Sequence, residues 1–154
     1  MKYESGRSMV EMMGVLAIMG VITAGAIWLI MVGFDSLKLG TVDTDVTVLV
    51  TKIRDNFSRY DDFSSIGNVN VFTITGVSQQ NPYGGTYGVA VDPSNPRQFI
   101  VSINGLSQSE CEALKVRTWP GSIGYEMSGH KESGATGTCT NPNGENVVQI
   151  TFGE

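Results

Sequence analysis

The sequence has no charged residue from Met12 to Phe34 and no proline before Pro82. Without proline, no residue enforces a break in a helix over the first part of the chain. The 23 uncharged residues would rise roughly 35 Å as a helix, and the hydrocarbon core of a bilayer is about 30 Å thick. Met12–Phe34 is therefore predicted to form a transmembrane helix that contacts the lipid bilayer.

Basic residues are few and scattered. Ten lysine and arginine side chains stand against 15 acidic ones, which gives a formal net charge of −5. A nucleic-acid-binding surface needs a basic patch or stripe, and none occurs along this chain. The sequence therefore predicts no nucleic-acid site.

Groups that could carry catalysis or hold a metal are also scarce. His130 is the only histidine, and it lies in a polar Gly-His-Lys-Glu segment away from any nucleophile motif. Together with the two cysteines it supplies too few ligands for zinc at this spacing. The aspartates form no calcium loop, and Gly84-Gly85 lacks the lysine and helix of a phosphate loop. We predict no catalytic site, no cofactor and no metal, and a protein that is not an enzyme.

The helix is predicted to continue beyond the apolar run, from residue 8 to residue 60. Past Phe34, apolar residues recur at spacings of three and four, which is typical of one buried helical face. Most charged side chains fall outside that stripe, among them Asp43, Asp45 and Asp55. The predicted stripe consists of Leu39, Val42, Val46, Leu49, Ile53, Phe57 and Tyr60.

The remaining residues, 61–154, predict a small head of antiparallel β-strands. Alternating apolar residues and turn motifs indicate strands over 70–75, 86–91, 98–103 and 146–152. Ser107-Gln108-Ser109-Glu110 is a capping box that predicts a short helix to about Lys115. Residues 120–144 are predicted to be a polar loop with a strand near 123–127. The expected fold class is α+β, a long N-terminal helix packed on this sheet.

Two cysteines lie in the last third of the chain, Cys111 and Cys139. If the head is translocated across the membrane, an even cysteine count predicts one disulfide. A head of 94 residues buries a modest fraction of its surface and would benefit from such a cross-link.

The start of the chain resembles the processing site of type IV pilins and their pseudopilin relatives. Gly6 is followed by four residues, then by Glu11 and the unbroken apolar helix. The resemblance implies that a prepilin peptidase cuts between Gly6 and Arg7 and that the new first residue is N-methylated. Glu11 would be the fifth residue of the mature chain and would act in assembly. The implied domains are a leader, 1–6, a long helix, 7–60, and a head, 61–154.

The resemblance also implies a function, partners and a location. The chain would be a structural subunit of a type IV pilus or related filament, held in the inner membrane before it joins an extracellular pilus. Its partners would be other pilin subunits, the peptidase and an inner-membrane assembly platform. The segment around Cys111 resembles type IVb pilins, while minor pilin and type II secretion pseudopilin remain open.

Two other interpretations of the N-terminus and one of the whole protein remain open. An ordinary signal peptide would use Lys2 and Arg7 as its basic region and Ala24-Gly25-Ala26 as its cleavage site. An uncut single-pass anchor would keep the whole helix. Its N-terminal flank has Lys2 and Arg7 but also Glu4, so the positive-inside signal is present and weak. In a different class of protein, the head would be an anchored adhesin or binding module that never polymerises.

Overall fold

A computed structural model describes residues 9–127, 130–132 and 134–153. The chain divides into two compact units, Met1–Lys38 and Leu39–Glu154. Helix α1, Met9–Phe57, begins in the first unit and ends in the second. The long N-terminal helix is therefore confirmed, although it ends three residues before the predicted position 60. The division of the chain at residue 60 stays a prediction.

The second half of α1 is amphipathic and packs into the core of the head. Its buried residues follow the predicted stripe and add Val50. Leu39 is partly buried against the same core. Tyr60 is an error in the prediction: it lies beyond the end of the helix and is 59% exposed. The buried residues of α1 are Val42, Val46, Leu49, Val50, Ile53 and Phe57.

The predicted strand at 70–75 is wrong, because this segment is a short helix. A 3₁₀ turn, Ser64–Asn68, precedes helix α2, Val71–Thr75. The side chain of Asn70 caps α2 by accepting hydrogen bonds from two backbone N–H groups of its first turn. Gly76 ends it in the left-handed conformation at φ 73°, which glycine adopts without steric cost.

The main sheet consists of β1 Tyr87–Asp92, β2 Asn95–Leu106, β5 Thr136–Thr138 and β6 Asn146–Gly153. The strands lie in the order β1-β2-β6-β5, and each neighbouring pair is antiparallel. The predicted strands at 86–91, 98–103 and 146–152 are confirmed. Alternate apolar residues of the second and third of these strands, including Phe99, Ile103 and Ile150, are fully buried in the core. Val89 and Val91 of the first strand are partly buried against it.

Strand β2 is longer at both ends than predicted. Its turn from β1 occupies only the two residues after Asp92, whose side chain accepts a hydrogen bond from the Ser94 backbone N–H at 2.8 Å. Pairing with β6 continues past Ile103 to Leu106 through a shift in register. Gly105, at φ 76°, supplies the backbone conformation that such a bulge requires.

Helix α3, Gln108–Lys115, is confirmed together with its capping box. A second, two-stranded sheet pairs β3, Tyr125–Met127, with β4, His130–Glu132. The predicted strand near 123–127 is thus found, although it starts two residues later. Before it, the Ile123 backbone N–H donates to the Thr151 carbonyl at 2.7 Å, which ties this segment to the main sheet.

Candidate functional site

The first part of α1 presents apolar side chains on all sides. Every residue from Met9 to Leu37 is exposed, including Trp28 at 65% and Met31 at 62%. By length and composition this helix can cross a membrane. Exposed apolar surface is unfavourable in water, so lipid or another protein has to cover this segment.

Glu11 is the only charged residue between Met9 and Phe34 and lies in the first turn of α1. A carboxylate is favourable there because the N-terminal end of a helix carries partial positive charge. The predicted cleavage residues Gly6 and Arg7 lie outside the described residues. The cut and the role of Glu11 in assembly therefore remain predictions.

Five glycines lie along the exposed part of α1 and just beyond it. A side chain added at any of them would meet nothing within 4 Å. The packing of the single chain therefore does not require glycine at these positions, although small residues would let a neighbouring helix approach closely. They are Gly14, Gly20, Gly25, Gly33 and Gly40.

Polar side chains outside the apolar stripe also attach α1 to the head. The Tyr87 hydroxyl donates to an Asp45 carboxylate oxygen at 3.0 Å. Burial, with the Asp45 charge beside it, raises the pKa of Tyr87, so this hydroxyl remains a donor throughout the physiological range. Asp43 pairs with Arg117 at 3.2 Å, but both side chains are more than one-third exposed, so the pair adds little stability.

Arg54, in the last turn of α1, makes two hydrogen bonds to backbone groups far along the chain. Its Nη2 donates to the Gly121 carbonyl at 3.1 Å and to the Gly153 carbonyl at 2.8 Å. These bonds hold the end of α1, the loop after Trp119 and the end of β6 together. The helical pattern placed Asp43 and Asp45 outside the apolar stripe, and no local signal identified their contacts or those of Arg54.

The predicted disulfide between Cys111 and Cys139 is present. Cys111 lies on α3 and is fully buried, and Cys139 immediately follows β5. Lys115, on the same helix, donates to the Gly137 carbonyl of β5 at 2.9 Å. Helix α3 is therefore fastened to the edge of the main sheet by one covalent bond and one hydrogen bond.

Within the described part of the chain, no three His, Cys, Asp or Glu side chains form a group that could hold a metal ion. His130 belongs to β4 through its backbone. These observations assign no chemistry to the head, and the features that distinguish the molecule are its apolar helix and its cross-linked sheet.

A long N-terminal helix with an apolar first half, a small antiparallel sheet and one C-terminal disulfide fit a type IV pilin. No protein-family model matches the chain. Toxin coregulated pilin of Vibrio cholerae is 23% identical to it over 126 residues, which cover 72% of this chain and 56% of that protein. The chain therefore spans little more than half the length of this relative, and it resembles a type IV pilin in sequence as well as in fold.

Proposed function

We propose that the protein is a structural subunit, a pilin, of a type IV pilus or a related filament. The observation that carries the proposal is an exposed apolar helix, Met9–Leu37, on a chain similar to a known pilin. A filament core made of such helices would bury this surface, and the heads would form the outside. In this proposal the protein has no catalytic role.

The proposed life of the subunit begins in the inner membrane. Residues 12–34 would span the bilayer, with the head outside and the leader, 1–6, on the cytoplasmic side. The prepilin peptidase would cut between Gly6 and Arg7 and leave a free amine on Arg7, which would be methylated. An assembly platform would then move the subunit from lipid into the growing filament.

Glu11 would direct this transfer. Among apolar helices an unpaired carboxylate is unfavourable by several kcal/mol, so it would require a partner. The proposed partner is the free N-terminal amine of a neighbouring subunit. The alternative is Arg7 of the same chain, but a cation four residues before a carboxylate is the weaker order on a helix and opposes the helix dipole.

Substitutions in the native host separate these two partners. Glu11→Ala should be cleaved and inserted normally but should fail to enter filaments, measured by electron microscopy of sheared surface material. Arg7→Ala should still assemble if the partner is a neighbour's amine, and should fail like Glu11→Ala if the partner is Arg7. Asp35→Ala is the matched control, since it removes a carboxylate just beyond the apolar run. Normal filaments from Glu11→Ala would rule out both pairings.

Intact mass of the native protein tests the processing step. Loss of residues 1–6 with gain of a methyl group supports the proposal, whereas loss of residues 1–26 indicates a signal peptide and no loss indicates an uncut anchor. Gly6→Val should block maturation, because a side chain would obstruct the peptidase where it binds the backbone.

If cleavage occurs but the chain is absent from filaments, the adhesin or binding-module alternative is favoured. Scarcity along the filament would indicate a minor pilin or pseudopilin.

A further inference from the structure

The sequence contains two Asn-Gly pairs, Asn104-Gly105 and Asn143-Gly144. In such a pair the backbone nitrogen of glycine can attack the side-chain carbonyl of the preceding asparagine, because no glycine side chain obstructs the approach. The attack requires a mobile asparagine side chain and a peptide plane that can turn. The two pairs differ in how firmly the peptide plane is held.

Asn143 is exposed and lies in the turn between the disulfide and β6. Its one hydrogen bond to the described residues runs from its backbone N–H to Asn141 Oδ1, at 2.9 Å. Neither its side-chain amide nor the Gly144 N–H bonds to any residue that the structure describes. No hydrogen bond to a described residue therefore holds the Asn143 side-chain amide or the Gly144 N–H.

Asn104 is held by the sheet. Its backbone N–H donates to the Thr86 carbonyl at 2.9 Å, and its carbonyl accepts from Asn81 Nδ2 at 2.8 Å. The second bond fixes the Asn104-Gly105 peptide plane, and Gly105 also packs directly against the backbone of Gly85. The Gly105 nitrogen therefore cannot turn towards the side chain unless these contacts open.

We propose that Asn143 is a site of spontaneous deamidation in the folded protein and that Asn104 is protected. The Gly144 nitrogen bonds to Cγ of Asn143, and the Cγ–Nδ2 bond breaks. The departing amide group takes the proton of the Gly144 nitrogen and leaves as ammonia, which produces a five-membered imide. Water then opens the imide at either carbonyl, giving aspartate or isoaspartate at position 143.

The product changes a turn that supports the core. Asn146, just after it, is 2% exposed and donates through Nδ2 to the carbonyls of Leu106, at 3.0 Å, and Asn141, at 2.7 Å. Aspartate at 143 places a new carboxylate two residues before Glu145. Isoaspartate also adds a main-chain atom within the turn, so it alters the spacing between Asn141 and Asn146.

Peptide mapping of aged full-length protein tests the proposal. The purified oxidised protein is incubated in detergent at mildly alkaline pH and digested at intervals. The peptides containing Asn143 and Asn104 are then quantified by the mass change of amide to acid, and isoaspartate is identified by its altered retention. Asn143 should react at least about tenfold faster than Asn104, a difference that a modest free energy of local opening produces.

The unfolded chain provides the control. In urea with the disulfide reduced, both pairs should react at similar rates, because only the fold distinguishes them. Asn143→Gln should abolish the native reaction, since the longer side chain would have to close a six-membered imide, which forms far more slowly. Equal native rates at Asn143 and Asn104, or an Asn143 that stays intact in the folded protein while it reacts in urea, would overturn the proposal. So would a chain in which neither pair reacts when unfolded.

Discussion

Reducing the disulfide between Cys111 and Cys139 should lower the free energy of unfolding of the head substantially. The two cysteines are 28 positions apart, so the bond closes a loop of 29 residues. In the chain-entropy description, reducing the bond increases the entropy of the unfolded chain. For a loop of this length, the free energy of unfolding falls by about 3.6 kcal/mol at 25 °C. That is a large share of the roughly 5–15 kcal/mol that a typical domain has.

The assay compares oxidised and reduced full-length protein in detergent by urea denaturation. Trp119 is a suitable reporter, because it is 2% exposed and its indole N–H donates to the Leu114 carbonyl at 3.2 Å. The measurement is made in a Trp28→Phe background, since Trp28 lies on the exposed apolar segment and would obscure the signal. Fluorescence then follows the head alone.

Cys139→Ala separates the cross-link from side effects of the reductant. It should be destabilised about as much as reduced wild type, and reductant should not destabilise it further. The entropic reasoning would be refuted if reduction changed the unfolding free energy of wild type by less than about 1 kcal/mol, far below what loop closure predicts. In that case the head would owe its stability to packing alone.

Three further changes test the packing, a cap and a titrating group. Leu49→Ala should lower the unfolding free energy of the head by about 2–5 kcal/mol, because Leu49 is fully buried, while the partly exposed Val48→Ala should have a much smaller effect in the same urea titration. Asn70→Ala should cost about 1 kcal/mol in that assay through loss of the α2 cap, and an unchanged midpoint would contradict the capping role. The Ser64 backbone N–H donates to the Asp62 carboxylate at 2.9 Å and holds the pKa of Asp62 below its ordinary value of 3.8. An NMR titration of Asp62 should therefore find a lower midpoint. Because the charged form is favoured in the folded state, this stabilisation is present above pH 3.8 and is lost as the pH falls through the lowered pKa; a midpoint at or above 3.8 would contradict it.

Periodic patterns predicted most of the architecture. Apolar residues recur every three or four positions from Leu39 to Phe57 and at every second position in the strands, because these side chains face one core. A pattern that is local in the sequence therefore indicates which residues pack together in the fold. The error at 70–75 shows the limit of that reasoning. Val71–Thr75 is rich in β-branched residues that favour strands, but a capping Asn70 and a left-handed Gly76 define a single helical turn between them.

The functional segment could be predicted only in part. The absence of charge from Met12 to Phe34 follows directly from the sequence, whereas the roles of Gly6, Arg7 and Glu11 depend on the family resemblance. The contacts of Arg54 could not be predicted, because its two carbonyl partners lie 67 and 99 residues away. No periodic pattern encodes a hydrogen bond to a distant backbone carbonyl.

Arg54 therefore offers a test of how firmly the end of α1 is joined to the head. Its guanidinium reaches two carbonyls from one nitrogen, and Gly121 approaches it so closely that an added side chain there would lie 3.3 Å from Nη1. Lysine retains the charge but not the rigid planar group whose Nη2 donates to both carbonyls. Since hydrogen bonds to a charged group contribute roughly 1.5–3 kcal/mol each, and this site is only half-buried, Arg54→Lys should lower the unfolding free energy by about 1–2 kcal/mol.

The control for Arg54→Lys is Lys52→Ala, which removes a positive charge from an exposed position on the same helix. If the two carbonyl bonds matter, urea denaturation will show a loss for Arg54→Lys and almost none for Lys52→Ala. Equal losses would mean that the effect of Arg54→Lys is not specific to the two carbonyl bonds. No loss in Arg54→Lys would mean that the lysine ammonium satisfies the Gly121 and Gly153 carbonyls as well as arginine does, and the planar geometry would then be irrelevant to the attachment of α1.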